Sequence, residues 1–140
     1  MNKQIILKKV SKNGRIIELI NSQLHADREV LLAAVKNDGY SLKYASADLR
    51  ADREIVLVAV KSDGYSLYYV SSELRGDREI VLAAVKNVGY SLHYASSELC
   101  ADREIVLTAL KNNYNAVVYC NKRLYYEFSY YLKRKYMIRK

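Results

Sequence analysis

Residues 52–57 read DREIVL, the same six letters return at 77–82 and 102–107, and the near copy DREVLL stands at 27–32. The spacing of 25 residues extends beyond this phrase, because other residue types also return at one position of the repeat. The positions in register are Asp27, Asp52, Asp77 and Asp102; Lys36, Lys61, Lys86 and Lys111; Gly39, Gly64 and Gly89; Tyr44, Tyr69, Tyr94 and Tyr119; and Leu24, Leu49, Leu74, Leu99 and Leu124. A fixed period of this length is typical of repeat proteins, in which each unit buries its apolar side against the next.

The first half of the repeat predicts an α-helix. Asp52 is a suitable N-cap, residues 55–60 are all apolar, and Lys61 lies in the expected last turn. Gly64 is then predicted to adopt the left-handed conformation that ends many helices. An apolar run of this length is also compatible with a buried strand, but the capping residues at both ends favour a helix.

The second half of the repeat predicts another short helix. Ser66 is its candidate N-cap, and Leu67, Val70 and Leu74 follow at the spacing of one helix face. Segments of about ten residues are too short to be stable alone in water, so they are expected to persist by stacking. The predicted fold class is therefore all-α: a solenoid of 25-residue helical hairpins, with about five repeats and a C-terminal capping helix.

The two ends of the chain follow the repeat but carry charge where the interior is small and apolar. Lys8 and Lys9 occupy the positions of the Ala33–Ala34 pair, and Lys133–Arg134 occupy them after the last repeat. Terminal repeats need a polar outer face because no further unit covers them. The predicted organisation is a single domain over 1–140, with a degenerate N-terminal capping repeat at 1–25, regular repeats at 26–125, and a basic, tyrosine-rich capping helix at 126–140.

The repeat unit L-x-x-D-R-E-I-V-L-x-A-V-K-x-x-G-Y-S-L-x-Y-A-S resembles the tandem helical repeats of a family of unknown function, DUF4116. The likeness is close over 24–111, looser over 1–23 and 112–126, and does not extend to the last 14 residues. This resemblance implies an all-helical repeat fold. It supplies no activity, cofactor or catalytic residue that could be carried over to this chain.

The formal charge of +8 belongs to the two ends of the chain. Residues 1–25 carry five Lys or Arg against one acid, residues 122–140 carry seven against one, and the remaining 26–121 carry 11 against 13. Basic ends are compatible with nucleic-acid binding. No apolar run approaches the roughly 18 residues of a membrane span, and no signal peptide is visible, so an intracellular protein is expected.

The sequence offers no catalytic, cofactor-binding or metal-binding residues, and a non-enzymatic protein is expected. His25 and His93 fall at different positions of the repeat, and Cys100 and Cys120 lack the spacing of a metal or redox pair. The recurring Asp-Arg-Glu triplets could hold cations along one edge of the solenoid. The favoured interpretation is a network in which each arginine bridges to the acids of the neighbouring repeat.

One position of the repeat differs in every copy although its neighbours barely change. It holds Lys43, Tyr68, His93 and Val118. Free variation at an exposed site is one interpretation, and a row of residues that recognises a partner is the other. The second interpretation predicts a scaffold that mediates protein–protein interaction or assembly, with self-association as one form of it.

The C-terminal segment supports an alternative function. Its basic residues lie among tyrosines, and such a helix could bind nucleic acid, an acidic protein or an anionic membrane surface. It could also serve only as a cap, with an apolar face of Tyr130, Tyr131, Leu132 and Ile138 covering the last repeat. The tyrosines within the repeats are expected to close the helix turns and to pack at the edge of the core. The candidate nucleic-acid residues are Lys133, Arg134, Lys135, Arg139 and Lys140.

Overall fold

The computed structural model describes residues 2–137, and the side chains of residues 2–135. These residues form α-helices and 3-10 helices and contain no β-strand. The α-helices are α1 (Lys3–Val10), α2 (Arg28–Asn37), α3 (Arg53–Ser62), α4 (Arg78–Asn87), α5 (Arg103–Asn112) and α6 (Lys122–Met137). The 3-10 helices are Gly14–Leu19, Ser22–Ala26, Gly39–Tyr44, Leu49–Ala51, Gly64–Tyr69, Leu74–Gly76, Gly89–Tyr94, Leu99–Ala101 and Tyr114–Tyr119.

Each interior α-helix begins at the aspartate that the sequence predicted as its N-cap. In α3, one carboxylate oxygen of Asp52 accepts the backbone N–H groups of Glu54 at 3.1 Å and Ile55 at 3.2 Å. These N–H groups belong to the first turn, where the helix itself offers no partner. The prediction of an N-capped helix in the first half of the repeat is confirmed.

The end of the α-helix differs from the prediction. No glycine among the described residues has a positive φ, so the left-handed ending proposed for Gly64 is wrong. Instead, the backbone of Asp63 turns to an extended conformation, with φ −142° and ψ 108°, while its N–H still donates to the carbonyl of Ala59 at 2.8 Å. The side chain of Asp63 then accepts the N–H of Tyr65 at 3.0 Å and starts the next segment.

That segment is a six-residue 3-10 helix, Gly64–Tyr69, rather than a second α-helix capped by Ser66. Ser66 lies inside it and is fully buried, as Ser91 is and Ser41 nearly is in their repeats. Leu67 fills the core below the segment. The hairpin partner of each α-helix is therefore a 3-10 helix, in which side chains three residues apart lie above one another along the axis.

Gly64 is required because two repeats approach closely at this point. A Cβ atom on Gly64 would lie 2.5 Å from the carbonyl oxygen of Ala84 in the next repeat, far inside normal contact. The N–H of Gly64 donates to the side-chain oxygen of Asn87, again in the next repeat, at 2.8 Å. The recurring glycine thus marks contact between repeats and not a backbone conformation that only glycine adopts.

The core runs continuously through the stacked units. In α3 the side chains of Ile55, Val56, Ala59 and Val60 are fully buried, and α3 packs against both α2 and α4. Burying one valine or isoleucine side chain contributes about 1.5–3 kcal/mol to the stability of the fold. The 3-10 helices stack on one another in the same order, which gives a second layer. The predicted all-α solenoid is confirmed.

Backbone and ionic ladders also join successive repeats. The N–H of Ser71 donates to the carbonyl of Arg50, and that of Ser96 to the carbonyl of Arg75, both at 3.0 Å. Arg53 pairs with Asp77 at 2.8 Å and also with Glu79 in the next repeat. This arginine network was the interpretation favoured from the sequence, and Arg28 and Arg78 repeat it. The same pairs hold the pKa of Asp52, Asp77 and Asp102 below its usual range, mainly through the arginine hydrogen bond.

The C-terminal helix starts earlier than the predicted residue 126. Asn121 caps it at Lys122, because its side-chain oxygen accepts the N–H of Leu124 at 3.0 Å. Leu124 and Phe128 are buried against the last repeat, whereas Tyr130 and Tyr131 are each 62% exposed. The prediction that these two tyrosines cover the last repeat is therefore wrong, and Ile138 of the same predicted face lies outside the described residues. Within residues 2–137, no helix has both the length and the apolar character needed to cross a membrane.

Candidate functional site

The four residues of the varied position lie at equivalent points of successive 3-10 helices. Tyr68 is 54% exposed and Val118 is 61% exposed, and the side chains of Lys43 and His93 are exposed as well. Because these helices stack in order, the structure brings the four side chains to one face of the solenoid.

The neighbouring tyrosines join these residues into one continuous surface. Across the second and third repeats, the ring of Tyr40 meets that of Tyr69 with 5.7 Å between centroids. Tyr69 meets Tyr68 at 5.0 Å, and Tyr68 meets Tyr94 of the following repeat at 5.2 Å. All three contacts are edge-to-face, the arrangement that aromatic rings prefer.

The chain of rings continues to the last repeat through His93. Its ring lies 5.0 Å from that of Tyr94 and 4.6 Å from that of Tyr119. Tyr119 in turn lies 5.8 Å from Tyr90. We call this surface the tyrosine row, and define it as Tyr40, Lys43, Tyr44, Tyr68, Tyr69, Tyr90, His93, Tyr94 and Tyr119.

The 3-10 winding explains how the sequence builds the row. With three residues per turn, Tyr40 and Lys43 lie above one another on the helix, as do Tyr65 and Tyr68. The ammonium group of Lys43 lies 5.5 Å from the ring centroids of both Tyr40 and Tyr44, a cation–π distance. A 3-10 period of three residues in the second half of the repeat predicts this face, whereas the α-helical period does not.

Hydrogen bonding orders the phenol groups of the row. The hydroxyl of Tyr69 donates to that of Tyr40 at 3.3 Å. Burial raises the pKa of Tyr69 to about 12, and this hydrogen bond lowers the pKa of Tyr40. Tyr69 therefore remains protonated at neutral pH and serves as a donor. As predicted, the tyrosines at the repeat position of Tyr69 pack against the edge of the core.

The residues at the repeat position of Arg50 bind the backbone beneath the tyrosine row, a role that was not predicted from the sequence. Arg50 donates to the backbone carbonyls of Ala45 at 3.0 Å and Lys43 at 2.7 Å. Arg75 makes the same pair of bonds, reaching the carbonyl of Tyr68 at 3.0 Å. The arginine side chains at this position donate hydrogen bonds to the carbonyls at the end of the 3-10 helix, which have no partners within the helix. They thereby fix the backbone beneath the exposed side chains.

Cys100 and His25 occupy that same supporting position. The thiol of Cys100 donates to the carbonyl of Leu92 at 3.4 Å, and Nε2 of His25 lies 2.8 Å from the carbonyl of Ile17. Burial raises the pKa of the Cys100 thiol, and it also raises that of Cys120. Among the described residues, no group of three or more His, Cys, Asp or Glu side chains is placed to hold a metal ion.

The basic candidates of the C-terminus lie apart from the row, on α6. Lys133, Arg134 and Lys135 are exposed there, whereas Arg139 and Lys140 lie outside the described residues. On the same helix Tyr126 is 70% exposed, and Tyr130 and Tyr131 are also exposed. The helix therefore presents aromatic rings and basic groups to solvent together.

Comparison with known families agrees with this repeat architecture. The family model described as Domain of unknown function (DUF4116) matches the chain four times, at residues 2–50, 27–75, 52–93 and 77–125. The chain belongs to this family. The resemblance noted from the sequence is thus confirmed, and each DUF4116 match begins at or beside the N-cap of an α-helix. No curated protein and no solved structure matches the chain.

Proposed function

We propose that this DUF4116 domain is a non-catalytic scaffold that binds another protein along the tyrosine row. The observation that carries the proposal is the unbroken contact of rings from Tyr40 to Tyr119 across four repeats. Tyrosine side chains supply large, rigid contact area at low entropic cost, and they are enriched at the centres of protein interfaces.

The variation along the row supports a role in specificity. The buried core residues repeat with little change, yet Lys43, Tyr68 and His93 give the row a cation, a phenol and an imidazole in turn. Because these side chains are exposed on one face of the stacked 3-10 helices, they can differ without disturbing the core. Helical solenoids bind partners through extended surfaces of this kind.

The proposal is tested by capture of partners on the purified chain, with Tyr68→Ala/His93→Ala as the test variant. Tyr126→Ala is the matched control, because Tyr126 is 70% exposed and lies on α6, outside the row. We expect the control to recover the same proteins as the unaltered chain and the double variant to lose them. Equal recovery by all three proteins would remove the tyrosine row as the binding surface.

A second function, nucleic-acid binding, is favoured by the exposed tyrosines of α6. Base stacking on aromatic rings and phosphate contacts to lysine and arginine together bind single strands. Such binding would weaken steeply between about 50 and 200 mM salt. It would collapse in the Lys133→Glu/Arg134→Glu/Lys135→Glu variant and be untouched by Tyr68→Ala/His93→Ala. Salt-insensitive binding, or binding that survives the triple change, would exclude this function.

A further inference from the structure

The α-helix layer carries open grooves that are separate from the tyrosine row. One groove of about 770 Å³ lies between α1 and α2, one of about 400 Å³ between α3 and α4, and one of about 470 Å³ between α5 and α6. The same positions of the repeat line them. Leu32, Leu82 and Leu107 form the floors, and Ala33 and Ala83 widen two of them because their side chains are small.

Lysines border every one of these grooves. Glu29 and Glu79 also line two of them, but each of these carboxylates is already paired, with Lys3 and Arg53 respectively. Each lysine comes from the last turns of an α-helix, so its ammonium group lies at the same end of each groove. The pairs are Lys8 and Lys36, Lys61 and Lys86, and Lys111 and Lys135. The six residues form a basic rim along one edge of the solenoid.

The rim contrasts with the arginines at the other end of the same helices. Arg28, Arg53 and Arg78 are each paired with an aspartate and a glutamate of the next repeat. The rim lysines are exposed, and within residues 2–135 they form no ion pair. A lysine near a helix C-terminus is favourable for the helix dipole, but this does not account for the apolar floor beside it.

We propose that the lysine-rimmed grooves bind an acidic, leucine-bearing segment of a protein partner. Its carboxylates would meet the basic rim, and its aliphatic side chains would cover the leucine and alanine floors. Adjacent helices lie about 8–10 Å apart, and one turn of a polyproline II helix advances about 9 Å in three residues and returns its side chains to the same face. A segment with an acid at every third position therefore matches the rim. Nucleic acid offers the negative charge but no aliphatic groups for the floors.

The probe is a fluorescein-labelled peptide of about 18 residues, or about six turns of a polyproline II helix, that repeats Glu-Leu-Ser. Binding is measured by fluorescence polarisation for the unaltered chain and for Lys36→Gln/Lys61→Gln/Lys86→Gln/Lys111→Gln. Because up to four charge contacts are lost, we expect binding to weaken by about tenfold or more. Lys122→Gln/Arg123→Gln/Lys133→Gln/Arg134→Gln is the matched control, since it removes the same charge from α6.

Two further probes separate the chemistry. A Glu-Ser-Ser peptide of equal charge should bind more weakly than the Glu-Leu-Ser peptide, and an oligothymidylate should neither bind more tightly nor displace it. Unchanged peptide binding by the groove variant, or equal loss in the α6 control, would overturn the proposal. Equal binding of the two peptides would overturn the role of the floors, and preferential oligothymidylate binding to the rim would make it a nucleic-acid surface. Circular dichroism and melting temperature confirm that each variant is folded.

Discussion

The buried side of the repeat and the outer side of the 3-10 layer differ in how freely their residues change between copies. At the buried position of Ala84, the interior repeats all carry alanine, because the next unit leaves no room for more. At the outer position of Tyr68 every copy differs. The difference teaches that stacking fixes the first set of residues, whereas the second set is free to serve another purpose.

The largest effect is expected from placing a charge on the buried side. Ala84→Lys buries an ammonium group between repeats without a partner, and should lower the free energy of unfolding by about 4 kcal/mol. The equivalent residue of the first unit, Lys9, is exposed. Chemical denaturation measures the change.

Ala83→Lys is the neighbouring control. Ala83 is only partly buried and lines an open groove. Its substitution should change the unfolding free energy by less than about 1 kcal/mol. Similar losses for the two variants would show that the stack does not distinguish its two faces.

The close approach of the repeats gives the second effect. Gly64→Val places a side chain against the Ala84 carbonyl, so it should cost about 3 kcal/mol by overpacking. Gly76→Ala should cost less than about 0.5 kcal/mol, because its Cβ would meet only the Ser96 hydroxyl oxygen at 3.8 Å. Equal costs in thermal denaturation would contradict the assignment of Gly64 to a contact between repeats.

The hydrogen bond at that contact gives a smaller effect. Asn87→Ala leaves the buried N–H of Gly64 without its acceptor, at a cost of about 1–2 kcal/mol. Asn87→Ser should recover part of this loss, because Ser62 at the equivalent position accepts the N–H of Gly39 at 3.2 Å. Stability that is the same for the alanine and serine variants would contradict this role.

The smallest effect concerns the arginine ladder and depends on pH. Arg53 lowers the pKa of Asp77, so the pair stabilises the fold above the ordinary carboxyl pKa of about 4 and loses this effect as the pH falls through the lowered value. The melting temperature of Arg53→Gln should therefore lie below that of the unaltered chain at about pH 7, with the gap closing toward about pH 2. Lys61→Gln is the control, and a pH-independent gap for Arg53→Gln would contradict the linkage.

These comparisons also show what the sequence could predict. The period, the aspartate N-caps and the arginine ladder followed from residues close in the chain or one period apart. The 3-10 winding after Asp63 did not, because it depends on how near the next repeat lies to Gly64. Tyr68 was identified by its variation, but its contact with Tyr94 required the spacing of the stacked layers.

The central claim is that Tyr68 and His93, the exposed rings of the tyrosine row, serve binding. The direct measurement is the dissociation constant of a captured partner for the unaltered chain and for Tyr68→Ala/His93→Ala, with the melting temperature of each. We predict binding at least about tenfold weaker, because aromatic residues at interface centres carry much of the binding energy, while the melting temperature falls only by the loss of these surface ring contacts. An unchanged dissociation constant would contradict the claim.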